Sequence, residues 1–336
     1  MSTSAPAGWL VVGTGRHAEK FGLPGLAGAR SATAAAVCGS DPGRAAAVAG
    51  RHGVPRSGAD LGALLADPAI SHVYVCSANA AHERHVAAAA GAGKHVLCEK
   101  PLAPGTAAAV RLAECCDRAG VVLGTGFHLR HNEIHGHAHR LIADGAIGTP
   151  VSLRVGYLHA IRQGDSTARL ATSRSVATPS RGSMSGTGAH AIDLARWLLD
   201  DELTGVTARM SEMDGSAEHG PHRVIEIAAT AGRGALVTIA VGRARYPANG
   251  ITVIGTRGRI TVSESIGNHG GGTIRLVSGT GESTVHVEPH DVYAAQFDAF
   301  VAATARGGPA SASGADGVAA QRLADAVEQA LTEGVS

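Results

Sequence analysis

Over residues 1–125 the chain alternates short runs of consecutive apolar residues with Ala-rich stretches whose apolar positions recur at helical spacing. Trp9–Val12, Thr33–Cys38, Ser71–Cys76, His95–Cys98 and Val121–Thr125 are predicted strands. Helices are predicted from the glycines after Val12 to Leu26, and over Pro42–His52, Leu61–Leu65, Ala80–Ala92 and Thr106–Ala119. Strands apolar on both faces that alternate with helices build a parallel sheet covered on both sides, the doubly wound Rossmann arrangement.

The pattern changes after a helix predicted over Asn132–Asp144, which stops at Gly145 and is followed by Gly148-Thr149-Pro150. From there apolar and polar residues alternate along Val151–Tyr157, Thr204–Glu212, Arg223–Ala229, Ala235–Val241, Gly250–Gly255, Arg259–Val262, Thr273–Leu276 and Ser283–His286. Period-two alternation describes an open, largely antiparallel or mixed sheet with one face covered. Helices over Ala189–Leu199, Val292–Arg306 and Ala315–Thr332 accompany it, so the second half reads as an α+β domain. The expected division is a doubly wound α/β domain over residues 1–126 and an α+β domain over residues 127–336. Gly164 to Ser185 has no period and reads as a long loop, flanked or occupied by Arg162, Arg169, Arg174 and Arg181, which could meet an anionic substrate.

Composition narrows the function. A net charge of +1 offers no field for nucleic acid, and 3% aromatics leave few stacking platforms for single strands. No apolar run approaches the ~18 residues of a membrane span. The N-terminal residues lack a basic start followed by a signal-like apolar stretch. Five cysteines with no framework spacing fit reduced thiols in a cytosol, so a cytoplasmic location is expected.

Gly13-Thr14-Gly15-Arg16-His17-Ala18 follows the first strand and opens a helix. In a dinucleotide fingerprint the first glycine makes the tight turn, the second lets a pyrophosphate approach the backbone, and the last small residue packs helix on strand. The bland alternative is a Gly-rich turn in a chain with 46 glycines. The position of a ribose-binding acidic residue, at the end of the second strand, falls on Gly39. Ser40 and Arg44 could instead hold a 2′-phosphate, which favours NADP over NAD; otherwise Asp41 caps the helix and Arg44 is solvated. Glu99-Lys100-Pro101 follows the fourth clear strand, at the carboxyl edge where such sheets bind ligands. A lysine partly withdrawn from water there can act as acid or base on an alcohol, although a loop lysine is more often simply exposed.

The chain resembles the Gfo/Idh/MocA oxidoreductases almost end to end. The resemblance runs through Gly13-Thr14-Gly15, Asn79-Ala80-Ala81-His82, Glu99-Lys100-Pro101-Leu102, Gly126-Phe127 with Arg130, Gly145-Ala146-Ile147-Gly148, Gly188-Ala189-His190 with Asp193, Ile254-Gly255-Thr256-Arg257-Gly258, and the tail from Gln296-Phe297 to Ser313-Gly314. It implies that Lys100 faces a reacting hydroxyl beside the nicotinamide and that His190 belongs to the acid–base set. Gly186 stands where the family carries an aspartate of that set. Ser77, Asn79 and His82 are expected to border the cofactor, with a helix-cap role the other reading of His82. Tyr157, His128 and Arg130 are expected to face substrate. The resemblance implies a sugar, polyol or related keto compound as substrate, and a homodimer or homotetramer paired through the open sheet face. A lyase or glycosidase using transient oxidation, and a non-catalytic dinucleotide sensor, are the rival readings.

The histidine-rich stretch is a separate question. His131, His135 and His139 share one helix face at metal-binding spacing. A hydride transfer needs no metal and no acidic ligand accompanies them, so a solvated His-rich helix without metal is expected.

Overall fold

The computed structural model describes residues 5–161, 183–213 and 222–333. Arg162, Arg169, Arg174 and Arg181 lie outside the described residues. The chain forms two compact units, Met1–His131 with Asp291–Gln321, and Asn132–His290 with Arg322–Ser336.

In the first unit, β1 (Ala7–Val12), β2 (Ala32–Cys38), β3 (Ser57–Gly58), β4 (His72–Val75), β5 (His95–Cys98) and β6 (Leu123–Thr125) form a six-stranded sheet ordered β3-β2-β1-β4-β5-β6. Every pairing is parallel. The crossovers carry α1 (Leu23–Gly28), α2 (Pro42–Arg51), α3 (Leu61–Leu65), α4 (His82–Gly91) and α5 (Thr106–Arg118). The first crossover helix opens with a π-helical turn over Ala18–Gly22. Continuous apolar strands are needed because both faces are covered. Leu10, Val12, Val73, Val75 and Val96 belong to one buried cluster. Trp9, Val11, Val37, Tyr74 and Leu97 belong to the other, with Phe297 and Phe300 of α8 (Val292–Ala305). Trp9 meets Phe297 edge-on at 5.0 Å. That last helix is one the sequence pattern assigns to the second half. Its apolar residues find their partners on the Rossmann sheet.

The second unit is built on an eight-stranded sheet ordered β14-β13-β12-β11-β7-β10-β9-β8. Its strands are β7 (Pro150–Ala160), β8 (Leu203–Met213), β9 (His222–Ala231), β10 (Leu236–Ala244), β11 (Gly250–Gly255), β12 (Gly258–Ser263), β13 (Gly272–Ser278) and β14 (Gly281–Val287). All neighbours are antiparallel except β7 and β10. Alternation sorts the faces. Leu153, Val237, Ile239, Val253 and Ile260 are buried, while Leu236 and Ile254 point the other way and are exposed. The covering helices α6 (Glu133–Ala143) and α7 (Ala189–Leu199) pack on each other, α6 against β12 and β13, α7 against β7 and β10. Helix α9 (Gly314–Glu333) belongs to the first unit up to Gln321 and to the second from Arg322.

The His-rich helix forms as α6, but the expected face of His131, His135 and His139 is not simply solvated. His131 falls in a 3-10 turn, His128–His131, that precedes α6. His135 on α6 is fully buried, its Nε2 3.0 Å from Ser265 Oγ. His139 stacks flat on Trp197, with ring centroids 4.6 Å apart. The apolar stripe of α6 draws its flanking imidazoles into contact with the unit, and among the described residues no three His, Cys, Asp or Glu side chains group to hold a metal.

Candidate active site

The turn after β1 is tight. Gly13 has φ +134°, and a Cβ there would lie 2.8 Å from the carbonyl of Cys76. Its N–H bonds to Cys38 O at 2.9 Å, so strands on both sides clamp the turn. Gly15 is the opposite case. A Cβ there would meet nothing within 4 Å, which leaves the backbone open to an approaching group. Helical hydrogen bonding begins with Glu19 N–H on Gly15 O, so the N–H groups before it lack helical acceptors. Open backbone, unclaimed N–H groups and the positive end of a helix are the features that hold a diphosphate, and the turn fits a dinucleotide.

Around the turn, Arg16 and Ser40 are exposed, and Ser77 and Asn79 half-buried. Asp41 caps α2 by accepting the Arg44 N–H at 2.9 Å, as the capping alternative has it. Arg44 is exposed but not merely solvated, because its Nε donates to Thr14 O. Ser77 Oγ lies 2.9 Å from His85 Nδ1. His82 is fully buried rather than open to a ligand. Its Nε2 is 3.1 Å from Ser77 O, and its Nδ1 3.2 Å from Pro101 O and 3.3 Å from Leu102 O. It fastens the segment after β4 to the segment after Lys100.

Glu99 and Lys100 follow β5, one strand beyond β4 on the same carboxyl edge as the Gly13 turn. The Glu99 carboxylate is buried. Oε1 accepts from the Tyr74 hydroxyl at 2.7 Å and lies 3.1 Å from His17 Nε2, and Oε2 accepts the Lys100 N–H at 3.2 Å. Gly126 makes room, since a Cβ there would sit 2.6 Å from Glu99 Oε1. Burial alone would raise the Glu99 pKa. His17, by charge and hydrogen bond, then Lys100 and Tyr74 overcome that and bring it to about 2. The partly buried Lys100 amine is lowered by desolvation, and Glu99 offsets part of the fall. The peptide bond between Lys100 and Pro101 is cis. A half-desolvated amine beside a fixed anion can take and return a proton.

His17 is thus part of this carboxylate cluster, a role the fingerprint gives no hint of, and Tyr74 was hidden as one more apolar strand residue. Tyr293 of α8 extends the cluster: Phe21 stacks on it at 5.1 Å, His17 meets it edge-on at 5.7 Å, and His128 stacks on it at 4.8 Å. His128 is buried. Arg130, expected to face substrate, is committed elsewhere. Its guanidinium donates to Ser311 O at 2.6 Å and pairs with Asp316 at 3.0 Å, with only 5% of the side chain exposed. The partners lie in the tail that returns to the first unit.

In the second unit His190 sits in the first turn of α7 and is 3% exposed. The Tyr157 ring is 6.1 Å from it, and burial pushes the Tyr157 hydroxyl up to about 12. Gly186 lies one turn earlier, in a π-helical segment Met184–Gly188, where a Cβ would meet nothing within 4 Å.

Comparison with known proteins agrees with this geometry. Residues 7–127 match the Gfo/Idh/MocA oxidoreductase family, NAD-binding Rossmann fold, and residues 135–261 match the Gfo/Idh/MocA C-terminal domain. The chain belongs to that family and is an oxidoreductase with a nicotinamide-binding Rossmann domain. It is 29% identical over 327 residues to a 1,5-anhydro-D-fructose reductase of Ensifer adhaerens, spanning 97% of this chain and 96% of that one. It is 30% identical to a myo-inositol 2-dehydrogenase of Thermotoga maritima over 84% of this chain and 83% of that one. The crystal structure of an aldose-aldose oxidoreductase from Caulobacter crescentus, complexed with glycerol, superposes with a TM-score of 0.84 at 25% identity, covering 98% of each chain. Among the described residues no helix is long and apolar enough to cross a membrane.

Proposed function

We propose that the protein moves a hydride between a nicotinamide dinucleotide and a carbon bearing a hydroxyl or keto group on a sugar, polyol or related small molecule. The observation that carries the reading is the position of Lys100, its amine withdrawn from water and its backbone N–H on the buried Glu99 carboxylate that also acts on the amine, on the sheet edge that bears the Gly13 turn. Gly13, Thr14 and Gly15 shape the turn, and the N–H groups at the helix start hold the phosphates. When bound, the nicotinamide supplies or accepts the hydride. Lys100 removes the hydroxyl proton during oxidation and returns it during reduction. His190, with Tyr157 beside it, orients the substrate oxygen. Arg44 and Ser40 favour the 2′-phosphate of NADP. The names of the relatives, a keto-sugar reductase and an inositol dehydrogenase, support the substrate class. A soluble cytoplasmic homodimer or homotetramer is the assembly we propose, paired through the face bearing Leu236 and Ile254.

The test is a panel of aldoses, polyols and keto sugars, followed by nicotinamide absorbance with NADP and NAD. At least one member should turn over, and Lys100→Ala should lower kcat by about 100-fold or more while cofactor Kd stays within a few-fold. Retained turnover in that variant would overturn the reading.

A further inference from the structure

The Glu99 carboxylate draws its hydrogen bonds from three separate pieces of the first unit. Tyr74 reaches it from β4, His17 from the start of the dinucleotide helix, and the Lys100 N–H from the peptide next door. His17 also touches Tyr74, its Nε2 2.9 Å from the phenol oxygen, so the three side chains close a triangle. The same carboxylate acts electrostatically on the Lys100 amine. Other titratable groups facing Glu99 are His82 of α4, Cys76 after β4 and Cys98 of β5. Burial holds both thiols neutral, so they add no charge at working pH.

A buried carboxylate divides its negative charge among its donors. Charge drawn toward Tyr74 and His17 is charge not presented to the amine. From this geometry we infer that Tyr74 and His17 are positioning residues that set the proton affinity of the Lys100 amine through Glu99. The inference rests on the reading of Lys100 as the proton-transfer group. It goes further by linking the dinucleotide turn to that group, because His17 lies inside the turn that grips the phosphates. A shift of the turn on cofactor binding is then felt at the amine without any direct contact.

The chain has only three lysines, Lys20, Lys94 and Lys100, which makes the amine directly observable. In protein labelled with lysine carrying 13C at Cε, each side chain gives one signal, assigned by Lys20→Arg, Lys94→Arg and Lys100→Arg. The titration of the Lys100 signal is followed in the cofactor-free protein, so no turnover is involved. Tyr74→Phe and His17→Leu should each move its midpoint upward by about half to one pH unit, because the carboxylate is left with one donor fewer. Glu99→Gln should move it downward by about one or more. His17→Gln, which keeps a donor but no charge, should restore part of the wild-type midpoint. Tyr74→Phe removes only the hydroxyl from the core and guards against a folding artefact, with circular dichroism and urea midpoint as checks. A Lys100 midpoint that stays put in both donor variants, or that moves the same way in Glu99→Gln as in Tyr74→Phe, overturns the inference. Loss of turnover in Lys100→Ala is a separate measurement: it tests the catalytic reading, and a titration without the predicted signs sinks the coupling alone.

Discussion

Arg44 donates its Nε–H to the carbonyl oxygen of Thr14 over 3.0 Å, so the guanidinium is tied to the Gly13 turn. Gly39, directly after β2, offers no acidic group to an unphosphorylated ribose, and the Thr14 side chain crowds the place a side chain would take. A Cβ there would lie 2.6 Å from Thr14 Cγ2. Arg44→Ala should therefore raise KM for NADP by about 10- to 100-fold, the worth of a hydrogen bond to a charged group, while KM for NAD changes by less than about 3-fold. An equal rise for both cofactors would show that Arg44 only props the turn.

The two glycines of the turn predict opposite defects. In Gly13→Ala the new methyl collides with the backbone of Cys76 and Ser77 at a φ that L-residues avoid. Thermal unfolding should come several degrees earlier, and dinucleotide binding should fail with it. Gly15→Ala meets only open space. Its Tm should stay near wild type while cofactor Kd, read by nicotinamide fluorescence, weakens by about 10-fold or more as the methyl stands in the path of the phosphates.

Gly186 lies one helical turn before His190, and its surroundings have space for a side chain. Gly186→Asp should fold normally, with Tm unchanged or slightly higher because glycine is a poor helix residue. It should raise kcat several-fold if His190 works better with a carboxylate one turn away. A fall in kcat with intact cofactor binding would mean that this chain has settled on a different proton path.

His72 predicts acid sensitivity. It is 5% exposed, between Ser71 Oγ at 2.8 Å and Thr304 Oγ1 at 2.9 Å, and stacks on Trp9. Burial, and after it His95, lower its pKa from 6.5 to about 4. Between those values the unfolded chain binds a proton that the folded chain refuses. Stability from this residue is complete above pH 6.5 and is lost as pH falls toward 4. His85, lowered to about 4, and His131, lowered to about 3, act with the same sign. His72→Gln should flatten the plot of unfolding free energy against pH, by up to about 1.4 kcal/mol per pH unit, in urea titrations between pH 7 and 4.5. An unchanged slope would mean that His72 already carries its proton in the fold.

Much of this architecture is legible in the pattern of side chains, for identifiable reasons. β5 and α7 appear at the residues the periodicity predicts, because both are buried and carry dense apolar patterns. β3 is a two-residue strand, too short to leave a period. The Gly13 turn and the Glu99-Lys100-Pro101 edge are readable because their chemistry is local. The role of Arg130 is not, because Asp316 is 186 residues further on. Tyr74 looked like one more buried strand residue until Glu99 stood against its hydroxyl. His135 and His139 read as solvated because spacing alone does not reveal Ser265 or Trp197.

The placement of Phe297 and Phe300 on Trp9 has a consequence for biosynthesis. A nascent chain of this sequence exposes the second-face apolar surface of its opening sheet until translation has passed residue 300. The segment made first is therefore among the last to be sealed. During that interval it is a client for chaperones, and a stop codon shortly before α8 would release a fragment without the Phe297 and Phe300 cover of Trp9, prone to aggregate.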